Sequence, residues 1–180
     1  MKNPKFLSIE FSPQNGKFTN LQLVPYIAEL LYINRFQLFD TFFEFNEHNK
    51  IEKTIELIQH TAPAFWAITN PKTGELAGLA YLYDWIGNDE TCFSAKVSTC
   101  FARKYWGAFA QRAGKLFLRY VFAKYRPQRI CAEVYKHNTY PKSLLDRLGF
   151  KHEYTRPTAT LCNLGITSVL GFATNNPQTI

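Results

Sequence analysis

The chain is 180 residues long, 46% hydrophobic and 19% charged, with a formal net charge of +7. That is enough to bury one substantial core, and because no Gly/Ser- or Pro-rich tract divides the chain, a single domain is expected. A bilayer-crossing helix is excluded, since the greasiest stretch, Leu30 to Phe45, is cut by Asn34, Arg35, Gln37, Asp40 and Glu44, and MKNPKFLSIEF lacks the apolar centre of a signal peptide; a soluble, cytoplasmic protein is expected.

In chain order, Leu23, Ile27, Leu30, Leu31 and Leu38 fall near helical spacing and predict a helix over 20–45, with Pro25 in its first turn. The aromatics Tyr32, Phe36, Phe39, Phe42, Phe43 and Phe45 blur its face and are assigned mostly to the core. A second helix is predicted from Lys50 to His60, ended by Pro63. From Ala64 the period changes: AFWAIT and LAGLAYLYDW flank the turn sequence NPKTGE, which makes a hairpin. A third strand, Cys92 to Ala102, pairs with the second. The segment RKYWGAFAQRAGKLFLRYVFAKYRPQR changes from strand to helix at Trp106 and Gly107. On that helix Ala113, Leu116, Phe117, Tyr120 and Val121 form an apolar stripe, and Gln111, Arg112, Lys115 and Arg119 a polar one. RICAEVY is a strand, Pro141 to Arg147 a helix with Gly149 at its stop, KHEYTR a strand, and Ile166 to Ala173 a last apolar run. The order amounts to a mixed α/β plan without internal repeats.

Cys92, Cys100, Cys131 and Cys162 form no CxxC pair, and His48, His60, His137 and His152 show no HxxxH or HExxH spacing, so no metal is expected and the thiols read as small hydrophobes. Much of the positive charge falls in the second half, in residues such as Arg103, Lys104, Arg112, Lys115 and Arg119, and would attract nucleic acid, an acidic membrane face or a polyphosphate cofactor. Tyr105, Trp106 and Tyr125 among these cations suggest a nucleic-acid module, but no RNP, KH or helix-turn-helix signature accompanies them.

Taken together, the Trp-Gly junction opening a basic amphipathic helix, the strand AEVY with Asn138 four residues after Val134, and the short helix ending in Leu148-Gly149-Phe150 resemble the second half of the GNAT superfamily of acyl-CoA-dependent N-acyltransferases. Asn138 stands eleven positions before Gly149, as the family pattern has it. KYWGAFAQRA and the YVF at Tyr120 to Phe122 look like the branch that acetylates ribosomal-protein N-termini and small amines. The resemblance covers roughly Ala64 to Tyr154. It implies a mixed, mostly antiparallel sheet of six to seven strands with helices on both faces. It also implies a helical acceptor-side wall over 1–63, an acetyl-CoA-binding core over 64–156 and a C-terminal strand and tail over 157–180. The chain would act as monomer or homodimer on acetyl-CoA and an unidentified amine of a small molecule, protein N-terminus or lysine.

A strand that turns into a helix at Gly107 aims backbone N–H groups and the positive helix end at one spot, where a pyrophosphate is held, or else is an ordinary turn beside a solvated basic face. Trp106, Gly107, Ala108, Phe109, Ala110, Lys104 and Arg112 belong to this cofactor set. The family loop is Q/R-x-x-G-x-G/A; this chain has no second Gly, and either Phe109 or, with one residue deleted, Ala108 stands at the small position. The deletion is preferred. The resemblance further implies Glu133 as general base, since some protein N-terminal acetyltransferases carry L-E-V-x-x-x-N where this chain has AEVYKHN; a strand carboxylate paired with Arg or Lys is the other reading. Asp84, Asp89 and Glu90 are reserve bases. Main-chain N–H groups of Ser98, Thr99, Cys100 and Phe101 would polarise the carbonyl. Asn138 either meets the pantetheine arm or caps the next helix. The family's Tyr four positions before the Gly is Leu145 here, so Tyr140, Ser143 and Tyr154 stand as general-acid candidates that no spacing separates. The second class of reading is a GNAT-shaped protein that no longer catalyses and binds acyl-CoA or a protein partner.

Overall fold

Residues 2–9, 11–12, 17–18, 20–35, 38, 50–88, 91–161 and 165–177 are described in the structure, a computed structural model. Before the first predicted element stand β1 (Lys5–Ser8) and a small hairpin, β2 (Phe11–Ser12) and β3 (Lys17–Phe18). None of them is long enough to show alternation in sequence. A short 3-10 turn, Leu21–Leu23, leads into α1 (Val24–Asn34), with Pro25 in its first turn. The Asn34 side-chain amide donates to the Leu30 carbonyl at 2.9 Å and the Arg35 guanidinium to the Tyr32 carbonyl at 2.7 Å, so the last turn satisfies its own acceptors. The predicted helix over 20–45 is thus corrected at its start and reaches only Asn34 as α1. Phe36, Phe39, Phe42, Phe43, Phe45 and His48 lie outside the described residues.

Next come α2 (Lys50–Thr61), β4 (Phe65–Thr69), β5 (Leu76–Gly87) and β6 (Cys92–Phe101). A 3-10 turn, Arg103–Tyr105, precedes α3 (Ala108–Tyr125), which stops at Arg126 in the left-handed region, φ 50°, before Pro127. Its buried stripe is Ala110, Ala113, Phe117, Val121 and Phe122, so the predicted face is rotated away from Leu116 and the exposed Tyr120. β7 (Arg129–Tyr135) is followed by α4 (Thr139–Arg147), which begins two residues before Pro141; the proline sits in the first turn, where its missing N–H costs nothing. Gly149 takes φ +87°, its amide bonds back to Asp146 and the Phe150 amide to Leu145, both near 3 Å. This closed C-terminal motif is the physical content of Leu-Gly-Phe. β8 (Lys151–Leu161) and β9 (Gly165–Asn175) complete the chain and are longer than the sequence runs that announced them.

Seven strands form one sheet in the order β1-β4-β5-β6-β7-β9-β8, and every neighbouring pair is antiparallel except β6 with β7. The crossover through α3 makes that one pair parallel. α3 and α4 cover one face over Trp66, Ala80, Val97, Ile130, Ala132 and Phe172; α1 and α2 cover the other over Phe65, Ala67, Leu79, Tyr81 and Cys100. The two cores together are the mixed, mostly antiparallel architecture with helices on both faces.

Gly78 faces Phe101 across β5 and β6, and a Cβ there would lie 2.5 Å from the Cys100 carbonyl oxygen and 2.7 Å from the Phe101 ring. Backbone cannot yield as a side-chain tip can. Gly78→Ala is therefore expected to cost about 1–3 kcal/mol of stability, read as a lower urea midpoint at unchanged slope.

Candidate active site

The parallel pair holds for three rungs only: Ser94 with Arg129, Ala95 with Ile130 and Lys96 with Cys131. Beyond them β6 continues to Phe101 along β5, while β7 turns toward β9 and pairs there from Arg129 to Tyr135. Backbone groups of residues 97–101 that point away from β5 therefore meet no ladder partner on β7. The wedge between the parted strands is a cavity of about 90 Å³ floored by Ala132, Glu133 and Val134, with Ser98, Thr99 and Phe101 on one side and Leu144, Leu145 and Leu148 of α4 on the other. α4 comes this close to α3 because Leu148 packs into the notch at Gly114, where a Cβ would stand 2.6 Å from its methyl carbon.

Glu133 is the charged group at the wedge. Its side chain is only 5% exposed, with the Lys96 ammonium 3.6 Å from Oε1 and the Arg156 guanidinium 3.9 Å from Oε2. The Tyr154 hydroxyl donates to Oε1, whereas Oε2 is buried and accepts no hydrogen bond. Asp84, one reserve base, is ion-paired with Lys96 at 3.1 Å; Asp89 and Glu90 lie outside the described residues. The other reading of Glu133, a strand carboxylate paired with Arg or Lys, is thus what its surroundings show, with Lys96 and Arg156, which the sequence alone does not single out, as the partners.

At the other end of the wedge, Gly107 adopts φ +81° and precedes α3, whose first intrahelical bond runs from the Gln111 amide to the Gly107 carbonyl at 3.0 Å. The amides of Ala108, Phe109 and Ala110 come before that bond and are left for an outside acceptor. Ala108 is exposed, Ala110 is buried, and Phe109 packs on Tyr105 with ring centroids 4.9 Å apart. The Trp106 indole donates to the Phe101 carbonyl at 3.1 Å, tying the loop to the end of β6. Tyr140 stacks on Trp106, centroids 4.1 Å apart, and its hydroxyl accepts from the Gly107 amide. Tyr140 thus stands on the α3 terminus, and the chain's own phenol takes the amide to which a pyrophosphate was assigned.

Thr99, Cys100, Phe101, Trp106, Asn138 and Tyr140 line one small cavity beside the wedge, so these predicted residues are brought together. Asn138 occupies the N-cap position of α4 but makes no side-chain cap hydrogen bond. Burial pushes the Cys100 thiol up to about 12. Lys104 pairs with Glu75 at 2.8 Å on the β4–β5 turn, Arg103 lies 6.0 Å over the Trp106 ring, and Arg112 is half-buried on α3. Ser143 is on the solvent side of α4 and lines neither cavity. Among the described residues no three His, Cys, Asp or Glu side chains gather as metal ligands, and no helix is long and apolar enough to cross a membrane.

A mostly antiparallel sheet parted at its one parallel pair, with a helix terminus at the parting, is a fold this chain shares with solved N-acetyltransferases. The chain belongs to the GNAT family: a family model described as an acetyltransferase (GNAT) domain matches residues 31–151. By family it is an acyltransferase. Solved structures of the same fold include a ribosomal-protein alanine acetyltransferase from Vibrio fischeri (13% identity, 98% of this chain and 95% of that one, TM-score 0.72). The RimL ribosomal-protein acetyltransferase in complex with coenzyme A also matches (11%, 97% and 95%, TM-score 0.73). So does spermidine N-acetyltransferase from Vibrio cholerae in complex with coenzyme A and spermine (18%, 97% and 96%, TM-score 0.73). Comparison with curated proteins by sequence gives no match.

The Tyr154 phenol is pushed up to about 12, first by burial and then by its hydrogen bond to Glu133 and that residue's charge. A group raised in the folded state from about 10 stabilises fully below the unfolded value and loses that increment as pH climbs through about 12. In urea unfolding, the stability advantage of the natural chain over Tyr154→Phe is expected to be present below pH of about 10 and to vanish toward about 12.

Proposed function

We propose that this protein is an acetyl-CoA-dependent N-acetyltransferase that acetylates a primary amine of a small molecule, a protein N-terminus or a lysine. The observation that carries the reading is a nearly buried carboxylate, Glu133, among the residues that line the wedge between β6 and β7. The neighbours solved with coenzyme A, and one of them with spermine, support the cofactor and the amine class.

The residues fit such a cofactor: free amides and the positive end of α3 suit a diphosphate, with Arg103 and Arg112 nearby as counter-charge. Lys104, held by Glu75, contributes less. When bound, the cofactor supplies an acyl thioester. The Glu133 carboxylate accepts the proton that an ammonium acceptor must lose before its nitrogen can attack, directly or through water. Main-chain amides of 97–101 that point away from β5 would hold the carbonyl oxygen of a bound thioester and stabilise the charge it gains. Leu145 stands where the family Tyr would be, so the chain assigns no general acid to the leaving thiol.

A second reading is favoured by the phenol on the Gly107 amide: a GNAT-shaped protein that binds acyl-CoA or a protein partner without turnover. Calorimetric titration with acetyl-CoA followed by a thiol-release scan of small amines, polyamines and peptides separates the two. Binding without turnover on the whole panel would establish the second.

Glu133→Gln is expected to lower kcat by about 100-fold to 10,000-fold while leaving the acetyl-CoA Kd nearly unchanged. Tyr140→Phe frees an amide, so acetyl-CoA should bind about threefold to tenfold more tightly by calorimetry, the equivalent of one neutral hydrogen bond no longer displaced. Weaker binding would mean instead that the hydroxyl donates to the ligand.

A further inference from the structure

β7, β9 and β8 lie side by side, and one rung across them reads Glu133, Gly171, Tyr154. Directly opposed residues in antiparallel strands share a face of the sheet, so the outer two look at each other over the middle one. Two strand spacings of about 4.8 Å separate them, which most side-chain pairs do not bridge. Here the rung is built to be bridged. The middle residue has no side chain: a Cβ at Gly171 would lie 2.1 and 2.2 Å from the Cε1 and Cζ atoms of Tyr154. The ring therefore lies across the Gly171 backbone and brings its hydroxyl to Glu133.

The register of β8 adds a second device. His152 opposes Phe172, yet the residue opposite Gly171 is Tyr154, because the ladder slips between the two. The extra residue is Glu153, a bulge. Without it Glu153 would face Gly171 and point a second carboxylate at Glu133. With it, Glu153 pairs with Arg129 and the phenol takes the rung. The outcome at Glu133 is asymmetric: Oε1 accepts from Tyr154 and lies 3.6 Å from the Lys96 ammonium, whereas Oε2 is buried with no hydrogen bond and has only Arg156 at 3.9 Å.

We infer that Tyr154 is the positioning residue of Glu133, its ring laid over Gly171 so that the hydroxyl holds Oε1 and fixes the carboxylate in the one rotamer from which it serves the wedge. This rests on the reading of Glu133 as the base. A phenol suits the task because it remains a donor over the whole range in which a carboxylate base operates. A carboxylate held at one oxygen keeps its rotamer, which is what a base in a narrow wedge needs.

The test combines Tyr154→Phe, Glu133→Gln and the double variant, each checked for folding by circular dichroism; Phe keeps the ring over Gly171. Tyr154→Phe is expected to lower kcat about tenfold with KM for acetyl-CoA unchanged, and to cause no further loss in the Glu133→Gln background. A second readout needs no turnover: with tyrosine labelled at the ζ carbon, the Tyr154 resonance, identified by its disappearance in Tyr154→Phe, should move in Glu133→Gln. Full turnover in Glu133→Gln would remove the base reading and the inference with it. An impaired Glu133→Gln beside a fully active Tyr154→Phe, equal losses in both backgrounds, or an unmoved resonance would overturn the inference alone.

Discussion

The separation of β6 from β7 after three rungs is the constraint on which the site depends. A parallel pair inside a sheet normally satisfies its backbone along its length, and leaving residues 97–101 without a ladder partner on β7 would be costly if apolar side chains simply closed over them. The fold holds the opening from both sides. β7 is drawn away by seven rungs with β9, and α4 is wedged below by Leu144, Leu145 and Leu148, fixed to α3 at the Gly114 notch. The wedge is thus the remainder left by two stronger sets of contacts, and it is open without any rearrangement of the sheet.

Electrostatics follows from the same geometry. A carboxylate that is 5% exposed is tolerated because two cations from different strands, Lys96 and Arg156, lie within 4 Å, and because a phenol satisfies one of its oxygens. Lys96 is shared with Asp84 at 3.1 Å, so it is held by two carboxylates and does not neutralise Glu133 by a close, exclusive contact. The arrangement satisfies Oε1 and leaves Oε2 without a hydrogen bond.

The parts of the fold legible in the sequence were those written in short-range signals. Leu148-Gly149-Phe150 names a helix stop because only a residue without a Cβ takes φ +87° easily, and the Phe150 and Asn138 positions then fix the length of α4 between them. AEVYKHN placed Glu133 on a strand with Ala132 and Val134 turned to the α3 side, and alternation alone gave its face. What could not be read depends on which strands become neighbours. Gly171 in an apolar run has no meaning until β8 and β7 are known to flank it, and Tyr154 cannot be told from Tyr140 or Ser143 without that order and the slip at Glu153. Likewise β1 is visible only as the partner of β4, and Tyr140 reaches Gly107 through a contact between residues 33 positions apart.

The α3 terminus presents the Gly107 amide to two competing acceptors. The Gly107 amide is satisfied by a neutral phenol, a bond whose net worth is about 1 kcal/mol, whereas hydrogen bonds to charged groups are worth about 1.5–3 kcal/mol. A diphosphate would also gain from the positive end of α3 and from the free amides of Ala108 to Ala110, which the phenol does not use. In the proposed complex an anion would therefore compete for the amide at the cost of swinging one ring off Trp106, a stacked pair worth about 0.5–1.5 kcal/mol. In the ligand-free chain the phenol keeps a partly buried N–H from standing unsatisfied, as a second glycine in that loop could not.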